Sequence, residues 1–226
     1  MAKKKFKVDI EEAKKRVGKI FPLLRKEYPD AHCELDHSNA LELLVGTILS
    51  AQCTDVRVNI VTKDLFKKYK CAADYANAKQ TELEEDIRTT GFYRNKAKNI
   101  IGCCGQLVER HNGEVPGTME ELTALSGVGR KSANVLLGNA FDVPGMVCDT
   151  HVIRLSRRLQ LSENSDPVKL ELDLQQIVPK KRGGGWTMFS HLIVWHGRYR
   201  CKARKPDCDG CVIAKHCPAA HKKELQ

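Results

Sequence analysis

The sequence predicts an all-α protein, on three observations. Apolar residues recur at three- and four-residue intervals in segment after segment, the period of a helix with one buried face. Residues suited to helix caps stand at the ends of those segments. Nowhere do several short alternating runs follow one another with hairpin turns between them. With 226 residues the chain is long enough for one large domain or two modest ones with real cores.

Taken in order, residues 9–28 place Ile10, Ala13, Val17, Ile20, Phe21 and Leu24 on one helical face. Pro22 is expected to kink or restart that helix. Lys3, Lys4, Lys5 and Lys7 ahead of it read as a solvated tail. Residues 39–49, NALELLVGTIL, are apolar on most sides and predict a buried helix. Thr54 or Asp55 can cap the next one, VRVNIVTKDLFKKY. The segment TELEEDIRTT stops at Gly91, and Phe92, Tyr93 and Arg94 are assigned to a loop before a helix with a basic start over 95–111. Pro116, Gly117 and Thr118 form a turn, and Thr118 to Glu121 has the pattern of a capping box. Asp149 heads the segment THVIRLSRRLQL, Asp166 and Pro167 open VKLELDLQQIV, and Gly183, Gly184 and Gly185 make a break before WTMFSHLIVWHGRYRC. About ten helices with short connections result.

The net charge of +10 favours a polyanionic partner such as nucleic acid. No run approaches the roughly 18 apolar residues of a membrane helix. The basic N-terminus is not followed by an apolar stretch, so no signal peptide and a cytoplasmic location are expected.

Ten cysteines without an export signal point to thiol chemistry or metal binding rather than disulfides. Cys33, Cys53, Cys71, Cys103, Cys104 and Cys148 lie in apolar surroundings and read as small buried hydrophobes. Cys201, Cys208, Cys211 and Cys217 are different. Their C-x6-C-x2-C-x5-C spacing crowds four soft ligands into seventeen residues, as a metal or cluster site does. That spacing alone leaves a structural zinc and a [4Fe–4S] cluster both open. Arg198, Arg200, Lys202, Arg204 and Lys205 around these cysteines would form a phosphate-binding patch on a pinned loop.

Residues 125–151, LSGVGRKSANVLLGNAFDVPGMVCDTH, carry the densest chemical signal. Gly127 and Gly129 can take positive φ at little cost, and a turn ending at a helix N-terminus offers free N–H groups to a phosphate. Lys131 falls in the first helical turn, where the macrodipole disfavours its positive charge, as suits a lysine acting as a neutral nucleophile. Asp149 follows eighteen residues later, as a cap, a catalytic carboxylate or both.

Together these residues resemble the endonuclease III class of DNA glycosylases. LSGVGRKSANVLLGNAF with VCDTH is similar to that family's helix-hairpin-helix and catalytic aspartate, and the cysteine spacing to its iron–sulfur motif. HGRYRCKARKPDC, LSAQCTDVRVN, TTGFYRNKAKNI and HNGEVP match further stretches, so the resemblance runs from about residue 10 to residue 220. It implies two helical domains: a six-helix domain over 33–143, and a cluster domain from 1–32 and 144–226. A cleft between them would receive a flipped nucleotide, and residues 141–148 would cross from one domain to the other. It implies a [4Fe–4S] cluster on the four cysteines, Lys131 as Schiff-base lysine and Asp149 as catalytic carboxylate. Gln52 and Phe92 would insert into the duplex, while Asp55 and His151 would sit beside the pocket. Gly127, Gly129 and Arg130 would join the basic cluster residues in holding DNA. The activity implied is removal of oxidised pyrimidines from duplex DNA followed by cleavage 3′ to the abasic site, by a monomer associated with the nucleoid. Two other readings are a monofunctional glycosylase and a non-catalytic DNA-binding module with structural metal. Lys131 argues against the first, and the sequence, ending soon after the cysteines, is expected to lack that branch's additional recognition domain. Departures from the family pattern are Phe92 for an aliphatic residue, Ser126 for a frequent proline, Cys148 as an oxidisable thiol beside Asp149, and the glycine insert at 183–185.

Overall fold

The computed structural model describes residues 8–181, 184–220 and 222. The N-terminal lysines and Gly183 lie outside the described residues. Among those described there are eleven α-helices and two short 3₁₀ turns, and no strand. No described helix is long and apolar enough to cross a membrane. The chain divides into two compact units, residues 33–143 and residues 1–32 with 144–226.

The unit over 33–143 contains α2 to α8 (Ala40–Leu49, Asp55–Lys68, Ala72–Ala76, Gln80–Asp86, Tyr93–His111, Met119–Thr123, Arg130–Ala140). Every residue of α2 from Leu43 to Leu49 is buried, as its apolar composition predicts. Asn39 caps it, accepting the Glu42 N–H at 2.9 Å. Leu43, Leu44, Val58, Ile100, Leu107, Leu122 and Leu136 form its core. Tyr69 stacks on Tyr75 there at 4.8 Å. Thr54, not Asp55, caps α3, taking the Arg57 N–H. The capping box at Thr118 is half made: the hydroxyl takes the Glu121 N–H at 3.3 Å and gives its proton to the Glu121 carboxylate at 2.6 Å. Tyr93 and Arg94 are not loop residues but the first turn of α6, and Phe92 stands at its N-cap in the left-handed region.

The unit built from 1–32 and 144–226 contains α1 (Ile10–Glu27), α9 (Thr150–Arg158), α10 (Pro167–Ile177) and α11 (Trp186–Tyr199). Ala13, Val17, Ile20 and Leu24 of α1 are buried with Leu155, Leu174, Phe189 and Leu192. Phe21 meets Phe189 edge-on at 5.6 Å, whereas Ile10 at the helix start stays exposed. Pro22 does not restart α1, which runs unbroken through it. Buried Val17, Ile20 and Leu24 on both sides of Pro22 hold the helix through the lost hydrogen bond.

Candidate active site and cysteine loop

The turn between α7 and α8 brings Lys131 to the surface of its unit. Leu125 and Val128 are buried anchors, and the Val128 N–H closes the turn on the Leu125 carbonyl at 3.1 Å. Gly127 occupies the third position with φ 76°, which a type II turn requires. A Cβ there would also lie 2.8 Å from Asn99. Gly129 differs from the expectation: it is an extended N-cap at φ −94° with open space around it, so only one of the two glycines uses positive φ. The Ser126 N–H, a donor that proline lacks, reaches the Gln106 side chain at 2.7 Å and ties the turn to α6. Arg130 and Lys131 open α8, both exposed. No side chain caps this helix, and the Lys131 ammonium has no hydrogen-bond or ion-pair partner among the described residues.

Asp149 opens α9 as its N-cap. Oδ1 accepts the Val152 N–H at 2.8 Å, while Oδ2 has no hydrogen bond among the described residues. Capping and chemistry are therefore compatible in one carboxylate. His151 is half-buried, and its Nδ1 lies 3.0 Å from the Arg154 guanidinium. Burial lowers the His151 pKa, with Asp149 opposing and Arg154 adding to the shift. The ring also meets the backbone of Gly197, a contact that favours its protonated form. Arg154 also donates to the carbonyls of Gly197 and Cys201, at 2.9 and 3.1 Å. Cys148 is buried, and burial pushes its thiol up to about 12, aided by Glu171 and Asp149. The expected oxidation sensitivity does not fit a thiol held so firmly protonated. Cys71 is a second correction, since it is exposed and sits at the N-cap of α4.

Gln52 and Phe92 are both exposed, Phe92 by 62%, and both hold positive φ, 54° and 48°. Non-glycine residues stay in that region only when their surroundings hold them there. Both belong to the unit over 33–143, as does Asp55, the half-buried first residue of α3.

Cys201, Cys208, Cys211 and Cys217 all line one small cavity, with Leu155 and Ile213 on its apolar walls. Burial pushes the Cys211 thiol up to about 11 and raises that of Cys217. Thiolates in such a place need cations beside them. A tetrahedral zinc would draw its sulfurs to about 3.8 Å apart. Among the described residues no three cysteine, histidine or acidic side chains converge as a single-ion site. Four thiols around a cavity fit a cluster better than one ion. The protein also presents donors to the sulfurs: buried Arg158 places Nη1 3.2 Å from the Cys201 sulfur and bonds the carbonyls of Lys202 and Ala203, both at 2.9 Å. His196 sits 3.5 Å from the Cys211 sulfur through Nε2, and 3.0 Å from the Tyr28 hydroxyl through Nδ1. Burial lowers its pKa to about 4, Arg200 contributing, so the ring is neutral.

The basic residues here divide. Lys202, Arg204 and Lys205 are exposed, with no ion-pair partner among the described residues. Arg198 is half-buried in α11. Arg200 is committed inward: it pairs with Asp207 and, at 3.7 Å, with Glu27, so it fastens the loop instead of offering a spare charge. Three residues escaped the sequence reading: Arg154, Arg158 and the buried Lys96. Each was one basic residue among many, and its role depends on at least one carbonyl more than forty residues away.

Residues 45–180 match the family model of the HhH-GPD superfamily of base excision DNA repair proteins. Residues 201–217 match that of the iron–sulfur binding domain of endonuclease III. The chain is 50% identical to endonuclease III of Synechocystis sp. over 92% of its own length and 94% of the relative's. The corresponding protein of Bacillus subtilis is 46% identical, over 87% and 89%. Among solved structures, a non-covalent endonuclease III–DNA complex superposes with a TM-score of 0.87 at 44% identity, over 94% of this chain and 99% of that one. A trapped covalent endonuclease III–DNA intermediate does so with a TM-score of 0.87 at 45% identity, over 92% and 97%.

Proposed function

The chain belongs to the endonuclease III family of base excision DNA repair enzymes, and from that premise we propose how its residues divide the glycosylase and AP-lyase chemistry. Lys131 is the nucleophile. Its neutral amine attacks C1′ of the deoxyribose and displaces the base, the C1′–N bond breaking as the new C1′–N bond forms. Ring opening gives an imine, which acidifies the C2′ proton. Loss of that proton and of the 3′ phosphate by β-elimination cleaves the strand on the 3′ side. Asp149 accepts the lysine's proton and stabilises positive charge developing on the sugar, using the oxygen that does not cap α9. His151, in the first turn of α9 after Asp149, is a polar group beside the pocket.

The observation that carries this reading is Lys131 itself: an exposed ammonium with no partner among the described residues, at the uncapped start of a helix, directly after a tight glycine turn. Charge of that sign is disfavoured there, so the position gains nothing structurally from a lysine. The N–H groups at the same helix start, with Arg130, suit the phosphates flanking the lesion. Gln52 and Phe92 fill the space left by the extruded nucleotide and wedge the stack, which offsets an unstacking cost of a few kcal/mol. Lys202, Arg204, Lys205 and Arg198 contact phosphates, and duplex DNA bearing oxidised pyrimidines or abasic sites is the substrate. Cys201, Cys208, Cys211 and Cys217 hold the [4Fe–4S] cluster, which when bound crosslinks the loop that carries those cations. The protein acts as a monomer in the cytoplasm, at the nucleoid.

Borohydride trapping on abasic-site duplexes tests the assignment. Wild type is expected to form a covalent complex and Lys131→Ala none. Trapping that persists in Lys131→Ala would move the nucleophile elsewhere, and none with wild type would leave a monofunctional enzyme or a binding module.

A further inference from the structure

Lys96 is 3% exposed, a lysine taken almost wholly out of water. It lies in the first turns of α6, and its ammonium donates to two backbone carbonyls, those of Leu49 and Thr90, each at 2.8 Å. Neither acceptor is incidental. Leu49 is the last residue of α2, and Thr90 the last of the 3₁₀ turn Arg88–Thr90. Carbonyls at helix ends lack partners within the helix and carry its negative pole, so one buried cation satisfies two ends together. Three residues after Leu49 comes Gln52, and two after Thr90 comes Phe92, the exposed side chains held at positive φ. The intervening turns are short: the Cys53 N–H closes on the Ser50 carbonyl at 3.1 Å, and the Gly91 N–H on Arg88 at 3.4 Å. The clamp therefore sits at the base of both tips.

We propose that Lys96 is a positioning residue that ties the Gln52 and Phe92 tips to one point, so that both enter the DNA stack as a preformed unit. This rests on the reading of those two residues as inserting ones. Without the ammonium, two helix-end carbonyls lose their donor and the tips are free to leave the left-handed region. Ordering them would then fall on the binding step, and only where there is a base stack to enter. Single-stranded abasic DNA makes no such demand.

The test compares borohydride trapping by wild type and Lys96→Met on duplex and single-stranded abasic oligonucleotides, with 2-aminopurine opposite the duplex site reporting insertion by fluorescence. Lys96→Met is expected to match wild type within about twofold on single strands, slow at least about tenfold on duplex, and lose the fluorescence rise. Lys96→Arg, which keeps the donors, should recover part of both. In a Gln52→Ala/Phe92→Ala background, Lys96→Met should add less than about twofold, because it acts through those tips. Equal slowing on both substrates, or a full additional loss in that background, overturns the proposal. If Lys96→Met does not fold, Lys96→Gln takes its place in the same comparison, and failure of both to fold makes Lys96 a fold determinant and also overturns it. A Gln52→Ala/Phe92→Ala protein with wild-type duplex trapping and fluorescence would instead sink the insertion reading beneath it.

Discussion

Two helix starts carry the proposed chemistry, and they are built in opposite ways. α9 begins on Asp149, a carboxylate cap bonded to the Val152 N–H, the residue type a helix N-terminus favours. α8 begins on Gly129, with no side-chain cap, and puts Arg130 and Lys131 into its first turn, the charge a helix N-terminus disfavours. The first start would be stable in any protein. The second puts cations where the helix pole disfavours them, the arrangement an anion-binding start would have. Function is thus visible in α8 as a local conflict and hidden in α9 behind a structural role that is fully satisfied.

Breaking each start should expose that difference. Lys131→Ala is expected to lower strand cleavage at least about 1,000-fold, since it removes the nucleophile itself. Its stability should hold or rise by about 0.3–1 kcal/mol, the cost of a cation in the first turn. Thermal melting beside single-turnover cleavage checks both, and a destabilised Lys131→Ala would mean that α8 needs its lysine for folding. Asp149 should behave in the reverse manner. Asparagine caps about as well as aspartate, so Asp149→Asn should melt normally while base release slows roughly 100- to 10,000-fold. Asp149→Ala should show that loss and a further cost of about 1 kcal/mol in stability. Equal melting of the two variants would remove the capping half of the argument.

Much of this was legible in the residues because it is local. Thr54, Asp149 and Asp166 carry cap oxygens beside apolar runs and all three cap in the structure; Asn39, which the apolar pattern put inside its helix, caps as well. The cysteine spacing pointed to one loop, and all four cysteines line its cavity. What stayed illegible is long-range. Nothing near Lys96 in the chain says that its acceptors are the ends of two other helices, and nothing near Arg158 says that it holds three consecutive residues of the cysteine loop. At Pro22 the sequence predicts a kink or a restart, and buried flanking turns carry the helix through it without a restart. The two hairpin glycines looked equivalent, yet only backbone geometry distinguishes them.

That last distinction makes a sharper test of α8. Gly127→Ala must hold φ near 76° and pushes a Cβ to 2.8 Å from Asn99. It should cost about 1–3 kcal/mol and displace the turn that aims Lys131. Gly129→Ala meets open space at an ordinary φ, so its melting should change by no more than about 1 kcal/mol, the N-cap difference between the two residues. Equal losses of stability would show that the turn needs both glycines, against the open space and ordinary φ at Gly129.

The smallest effect concerns the cysteine loop, where neighbouring cations have different employment. Arg200 is spent on Asp207 and Glu27, whereas Lys205 is exposed without an ion-pair partner among the described residues. Replacing a charge that only meets phosphate weakens binding to all sequences alike and releases one fewer counterion. Lys205→Ala should therefore lower the slope of log affinity against log salt by about 0.9 on duplex DNA, with the cluster's visible absorbance unchanged. Arg200→Ala should leave that slope nearly intact and act through the loop, lowering the temperature at which absorbance is lost. A reversed result, with the slope falling in Arg200→Ala and the absorbance lost in Lys205→Ala, would mean that the inward pairing opens when DNA binds.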